Sequence, residues 1–182
     1  VEAFSLERVN KAGARFDFDK TKWFNQQYLR AKSGKTLAEL LLSKKPELTN
    51  ALSQDALEQV CELMKERATF VEDIYQEGQF FFEAPSSYDE KTVKKKWKEN
   101  TPEIVQELKS ILEQLTAFDA GSIEAAFSAF LNEKSLGFGQ VGPGFRLAVT
   151  GKGAGPSMFE ICSILGQQEV VARMDKALIA LK

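Results

Sequence analysis

Apolar residues recur at helical spacing through most of this chain and strand-like alternation is nearly absent, which confines it to an all-α, multihelical fold. A first helix is predicted from about Asp19 to Ala31, with Asp17 or Asp19 near its N-cap. Trp23, Phe24, Gln27 and Tyr28 share one side of it, and Gly34 stops it. A short helix near Lys35 to Ser43 carries Leu37, Leu40 and Leu41; Pro46 separates it from a third that starts after Ser53, with Ala56, Val60 and Met64 in register. Thr69 opens an apolar run through Val71, Ile74 and Phe80-Phe81-Phe82. The run ends at Ala84-Pro85-Ser86-Ser87, a turn-forming cluster that divides the chain into two helical subdomains, 1–84 and 85–182.

In the second part, Asp89 can cap a helix reaching about Glu99, and Thr101-Pro102 reads as an N-cap followed by proline at the first helical position. Ile104, Leu108, Ile111 and Leu115 give one face. Phe118 precedes a capping Asp119 and Ile123 lies four residues inside, the layout of a hydrophobic staple, with Phe127, Phe130 and Leu131 continuing the stripe. Two glycine-rich pieces, 137–144 and 151–156, flank Phe145 to Thr150, which reads as a helix end or a short helix. After Pro156, Met158 to Leu165 forms a helix stopped by Gly166, and Glu169 to Leu181 makes the last one.

Composition removes most catalytic classes. The 182 residues contain no His, so Ser-His and Cys-His nucleophiles, imidazole acid-base chemistry and histidine zinc sites are excluded within this chain. Cys61 and Cys162, without close spacing, give neither a disulfide framework nor a metal site, and read as reduced, buried side chains. No apolar run approaches the 18 or more residues of a membrane span, and the charged start from Val1 to Arg8 lacks a signal-peptide layout, so a soluble, cytoplasmic chain is expected. Net charge is -2, so any nucleic-acid contact must be local. The densest basic run, Lys91 to Lys98, fits a solvated helix face as well as a phosphate track.

Four features invite a functional reading beside a plain one. The Gly151–Pro156 stretch places Lys152 too early for a nucleotide-binding P-loop, yet it leads into a helix N-terminus where free N–H groups favour an anion; a simple turn is the alternative. Arg67, three residues after Met64, prolongs an apolar stripe: it either snorkels at the helix's negative end or offers its planar fork to a base. Arg146 lies between Phe145 and Leu147, so its stem is packed while its head emerges beside Gly155 to Met158, set for a structural salt bridge or for single-stranded RNA. Asp17 and Asp19 read as helix caps rather than as a metal or acid-base pair.

Two blocks carry a family resemblance. Phe4-Ser5-Leu6-Glu7-Arg8-Val9, with Phe16-Asp17-Phe18-Asp19-Lys20 and Trp23-Phe24-Asn25, resembles the exit from the catalytic half of bacterial-type glutamyl-tRNA synthetases. Gly139-Gln140-Val141, Arg146 to Gly151, Gly155-Pro156-Ser157-Met158-Phe159-Glu160-Ile161 and Leu165-Gly166 resemble that family's C-terminal end. The resemblance implies a two-part helical anticodon-binding region of a class I, discriminating enzyme. It implies that Arg67 contacts the third anticodon base, and that Arg146, Gly155, Pro156 and Met158 contact the anticodon loop. Where some relatives carry a hydroxyl residue, this chain has Gly155, leaving only backbone there. The implied partner is glutamate tRNA, with no DNA or membrane partner, and the chain is expected to be monomeric. ATP and magnesium would serve the complete ligase, while this chain, with no cofactor or metal and neither the family's His-containing motif nor its Lys-Ser loop, is expected to be catalytically inactive. A helical protein-interaction domain is the rival reading, favoured by net negative charge and 14 Phe.

Overall fold

The structure is a computed structural model and describes residues 16–181; the Phe4–Val9 block and the charged start lie outside the described residues. Among the described residues there is no strand, and the chain forms eleven α-helices and one 3-10 helix. The first part comprises α1 (Phe18–Arg30), α2 (Gly34–Lys44), the 3-10 helix (Pro46–Asn50), α3 (Gln54–Met64), α4 (Val71–Glu77) and α5 (Gln79–Phe82). The second comprises α6 (Glu90–Lys96), α7 (Thr101–Glu113), α8 (Ala120–Glu133), α9 (Phe138–Thr150), α10 (Met158–Leu165) and α11 (Gln167–Ala180).

Local chemistry sets the helix starts. Asp17, Ser33, Ser53, Asp89 and Asp119 each accept a backbone N–H of the following first turn, satisfying donors that have no partner inside the helix. Asp17 and Asp19 thus behave as a cap and a first-turn acid. Thr101 is the first residue of α7 rather than its cap, because its hydroxyl is engaged elsewhere: it accepts the Lys98 N–H at 2.8 Å and donates to the Lys96 carbonyl at 3.2 Å. The buried face of α7 is Val105, Leu108 and Leu112, with Ile104, Ile111 and Leu115 at its margins, since α8, α9 and α11 all pack against it.

Two readings gain a location. Of the residues sharing one side of α1, Trp23, Phe24 and Tyr28 are exposed, as is Phe18, and Leu29 is the buried residue of that helix. The helix read over Phe145 to Thr150 is longer than expected: the first glycine-rich piece forms its first half, with Pro143 inside it, and α9 runs from Phe138 to Thr150. Glycine there serves close packing. A Cβ on Gly144 would lie 2.8 Å from Thr101 Cγ2, and one on Gly142 would lie 2.6 Å from the Phe138 ring. Closely apposed helices outweigh the poor intrinsic helix propensity of glycine, about 1 kcal/mol per residue relative to alanine. Gly151, in the left-handed region at φ 71°, then ends α9.

The core runs through both parts. In the first, α2 packs on α3 and α4; in the second, α11 packs on α7, α9 and α10, and α10 packs on α8. Phe127 anchors the second part, its ring stacked on Phe145 at 5.9 Å and tilted against Phe159 at 5.5 Å. Burying such a side chain stabilises the fold by about 1.5–3 kcal/mol. Helix α10 also meets α3 and α5, joining the two parts. Cys61 and Cys162 are free and fully buried; burial pushes the Cys61 thiol up to about 12 and the Cys162 thiol also upward.

Candidate nucleic-acid interface

The site assembles where the end of α3, the middle of α9 and the start of α10 meet. Helix α3 stops at Met64, so Arg67 lies beyond it and does not prolong its stripe as the spacing suggested. A tight turn, in which the Arg67 N–H donates to the Met64 carbonyl at 2.9 Å, carries the chain away, and buried Ala68 takes the inward position. Thr69 and Phe70 then donate their N–H groups to the Asp73 carboxylate, which begins α4. Arg67 is left exposed. Its guanidinium crosses to the second part, donating from Nη2 to the Gly155 carbonyl at 2.8 Å.

Arg146 approaches the same turn from beneath. Phe145 and Leu147 on either side are buried, and the Arg146 guanidinium donates from Nη2 to the Pro156 carbonyl at 2.8 Å. The two arginines therefore hold consecutive carbonyls of one turn. Among the described residues neither has a carboxylate within ion-pair distance, so the structural salt bridge open to Arg146 is not what holds it. Burial, and then the neighbouring charge of Arg67, hold the Arg146 guanidinium below its ordinary value. Arg146 Nη1 is buried with no hydrogen-bond partner among the described residues. A buried donor without a partner is uncommon and costs about 1–3 kcal/mol.

Glycine at 155 leaves room for the Arg146 head, since a Cβ there would come within 2.8 Å of Arg146 Nη1 and the guanidinium would have to shift. Pro156 and Met158 are buried, so they shape the turn from inside, whereas Gly153, Ala154 and Ser157 are exposed around it. Ser157 precedes α10 without a side-chain cap, leaving the first-turn N–H groups of that helix unbonded by its hydroxyl. The surface thus offers two fixed cations, backbone donors and no neutralising acid of their own. Such a surface can bind an anion or the hydrogen-bonding edge of an unstacked base.

One structural arginine escaped the sequence reading. Arg173 is 2% exposed, pairs with Glu169 at 2.7 Å and donates to the carbonyls of Phe80 at 2.5 Å and Val149 at 3.2 Å, tying α5 to the end of α9. Its signal was present: Val170, Arg173, Met174 and Ala177 share one helical stripe, with Glu169 four residues before the arginine.

Comparison with known proteins identifies the family. An anticodon binding domain family matches residues 30–178. Glutamate–tRNA ligases of Phocaeicola vulgatus and Flavobacterium johnsoniae are 41% and 42% identical over 182 and 181 residues, all of this chain and 36% of theirs. A solved glutamate tRNA ligase from Elizabethkingia meningosepticum, in complex with its amino acid, superposes with a TM-score of 0.92 at 39% identity, covering 98% of this chain and 36% of that one. The glutamate-tRNA synthetase of Elizabethkingia anophelis superposes with a TM-score of 0.85 at 36% identity, over 97% of this chain and 34% of its own. The chain therefore spans about a third of the length of these relatives.

Proposed function

This chain belongs to the anticodon-binding domain family, and from that membership we propose that it recognises the anticodon of glutamate tRNA as part of a glutamate–tRNA ligase. The observation that carries the reading is the convergence of Arg67 and Arg146, from different parts of the chain, on one turn without a carboxylate partner among the described residues. A guanidinium held by one hydrogen bond still has donors left. Arg67 spends Nη2 on the Gly155 carbonyl, and its exposed fork presents the rest to the third anticodon base. Arg146 supports the turn from below, Gly155 offers backbone to the anticodon loop, and buried Pro156 and Met158 keep that backbone in place.

The two-part organisation, 1–84 and 85–182, is retained in this proposal, the parts sharing one core and contributing one arginine each. In the complete ligase, ATP and magnesium activate glutamate elsewhere, and this chain contributes selection of the tRNA rather than bond formation. A monomer in the cytoplasm fits that role. No helix of the described residues is long and apolar enough to cross a membrane.

Arginine fits a base edge through paired hydrogen bonds, and a good pair discriminates by about 1–3 kcal/mol. Arg67→Gln should therefore largely erase preference at the third anticodon position while leaving the fold intact, since Arg67 is exposed. The test measures affinity for glutamate tRNA and for a variant with cytosine changed to guanine at that base. Equal preference in wild type and mutant would defeat the reading.

A further inference from the structure

We propose that Lys91, Lys95 and Lys96 of α6, with Lys152 on the adjoining loop, form a phosphate-tracking surface that takes the backbone of the same RNA whose bases meet the Arg67–Arg146 turn. This rests on the recognition reading above and adds to it where the RNA's charge is met.

Helix α6 is turned so that Trp97, just past its end, packs on the core and Val93 is half-buried. Lys91 and Lys95, four residues apart, occupy the opposite face and are exposed, as is Lys96. Elsewhere the lysines of this protein are often paired: Lys44 with Glu72, Lys65 with Glu62, Lys109 with Asp175 at 2.6 Å and Lys134 with Glu107 at 2.6 Å. On α6 only Lys94 has such a partner among the described residues, Glu90 at 3.8 Å. Of the other acids close in sequence, Asp89 is engaged in capping Thr92, and Glu99 is exposed beyond the helix. Five lysines from 91 to 98 against Asp89, Glu90 and Glu99 leave a local excess of positive charge, only partly compensated, with Asp89 feeling the charge of Lys91; in a chain of net charge -2 this is an anion-attracting patch.

Its place in the fold selects the anion. The Asp89 N–H donates to the Gly151 carbonyl at 2.8 Å, and Gly153 lies so close to Thr92 that a Cβ there would overlap the threonine hydroxyl. Two residues further on, at most about 7 Å of chain, is Gly155, whose carbonyl accepts from Arg67. The lysines and the arginine turn therefore stand at two ends of one loop. Contacts to phosphates position a nucleic acid while contacts to bases specify it, and lysine, a mobile point charge, suits the former.

The test titrates this chain with a synthetic anticodon stem-loop of glutamate tRNA over a range of salt concentrations. It compares wild type, Lys91→Gln/Lys95→Gln, and a charge-matched control, Lys35→Gln/Lys176→Gln, at exposed positions on α2 and α11. The α6 variant should flatten the plot of log affinity against log salt by about 1.4–1.8, with the third-base preference unchanged. An unchanged slope, or equal flattening in the control, overturns the lysine surface while third-base discrimination keeps the recognition reading standing. Loss of third-base preference in the lysine variant overturns the division of labour. No salt-dependent RNA binding by wild type defeats both.

Discussion

Arg67 and Arg146 differ in how they are held. Arg67 is exposed and tethered at one point, whereas Arg146 has its stem between buried Phe145 and Leu147 and one nitrogen enclosed without a partner. The packed stem of Arg146 was legible from its apolar neighbours, whereas the position of Arg67 was not, because spacing assigns a face to a helix and Arg67 lies just past the end of one. That Arg146 emerges beside Gly155 to Met158 was read from its neighbours; that Arg67 also bonds this segment was not, since the resemblance implied for it only a contact to the third anticodon base. The glycines of that loop allow a sharp comparison. A methyl at 155 meets the far end of Arg146, which can yield, but a methyl at 153 meets Thr92 in a helix, its hydroxyl bound to Asp89 at 2.5 Å. Gly153→Ala should thus destabilise by about 1–3 kcal/mol, and Gly155→Ala by less than about 1 kcal/mol, in urea denaturation. The reverse order would mean that the loop is not pinned on α6.

At the level of elements, capped helices read well and glycine-rich ones did not. Ser53, Asp89 and Asp119 announced their helices through side chains that accept first-turn N–H groups, a local effect that sequence displays directly. Helix α9 depends instead on proximity to another helix, which no local rule reports. Gly144 lets α9 approach Thr101 of α7, Gly142 leaves room for the Phe138 ring of the same helix, and the absence of side chains at both imitates a loop. Gly144→Ala tests this: intrinsic propensity alone predicts a gain of about 1 kcal/mol, whereas the contact predicts a loss. Thr101 is 3% exposed and fixed by two hydrogen bonds, so it cannot move aside cheaply. The expected outcome is a net destabilisation of about 1–2 kcal/mol by thermal or urea unfolding. A more stable variant would show that the packing is looser than described. The aromatic side of α1 is the complementary case, periodic and apolar yet exposed, since a shared helical side does not establish what the side faces.

Across the whole molecule, the candidate surface exists only because two parts of the chain are fixed against each other. Packing of α10 on α3 and α5 supplies part of that fixation, and Arg173 supplies another, bonding α5 to α9 from inside the core. The all-α class was legible in the hydrophobic period, but this register between parts was not, since it arises from contacts between residues as far apart as Phe80 and Arg173. The central claim is that Arg67 and Arg146 act as one unit on the RNA. A double-mutant cycle measures that directly, with Arg67→Gln, Arg146→Gln and the double variant titrated against the anticodon stem-loop at one fixed salt concentration. Groups sharing a turn and a ligand should couple by about 0.5–3 kcal/mol. Additive losses, within about 0.3 kcal/mol, would show two independent arginines and contradict the account.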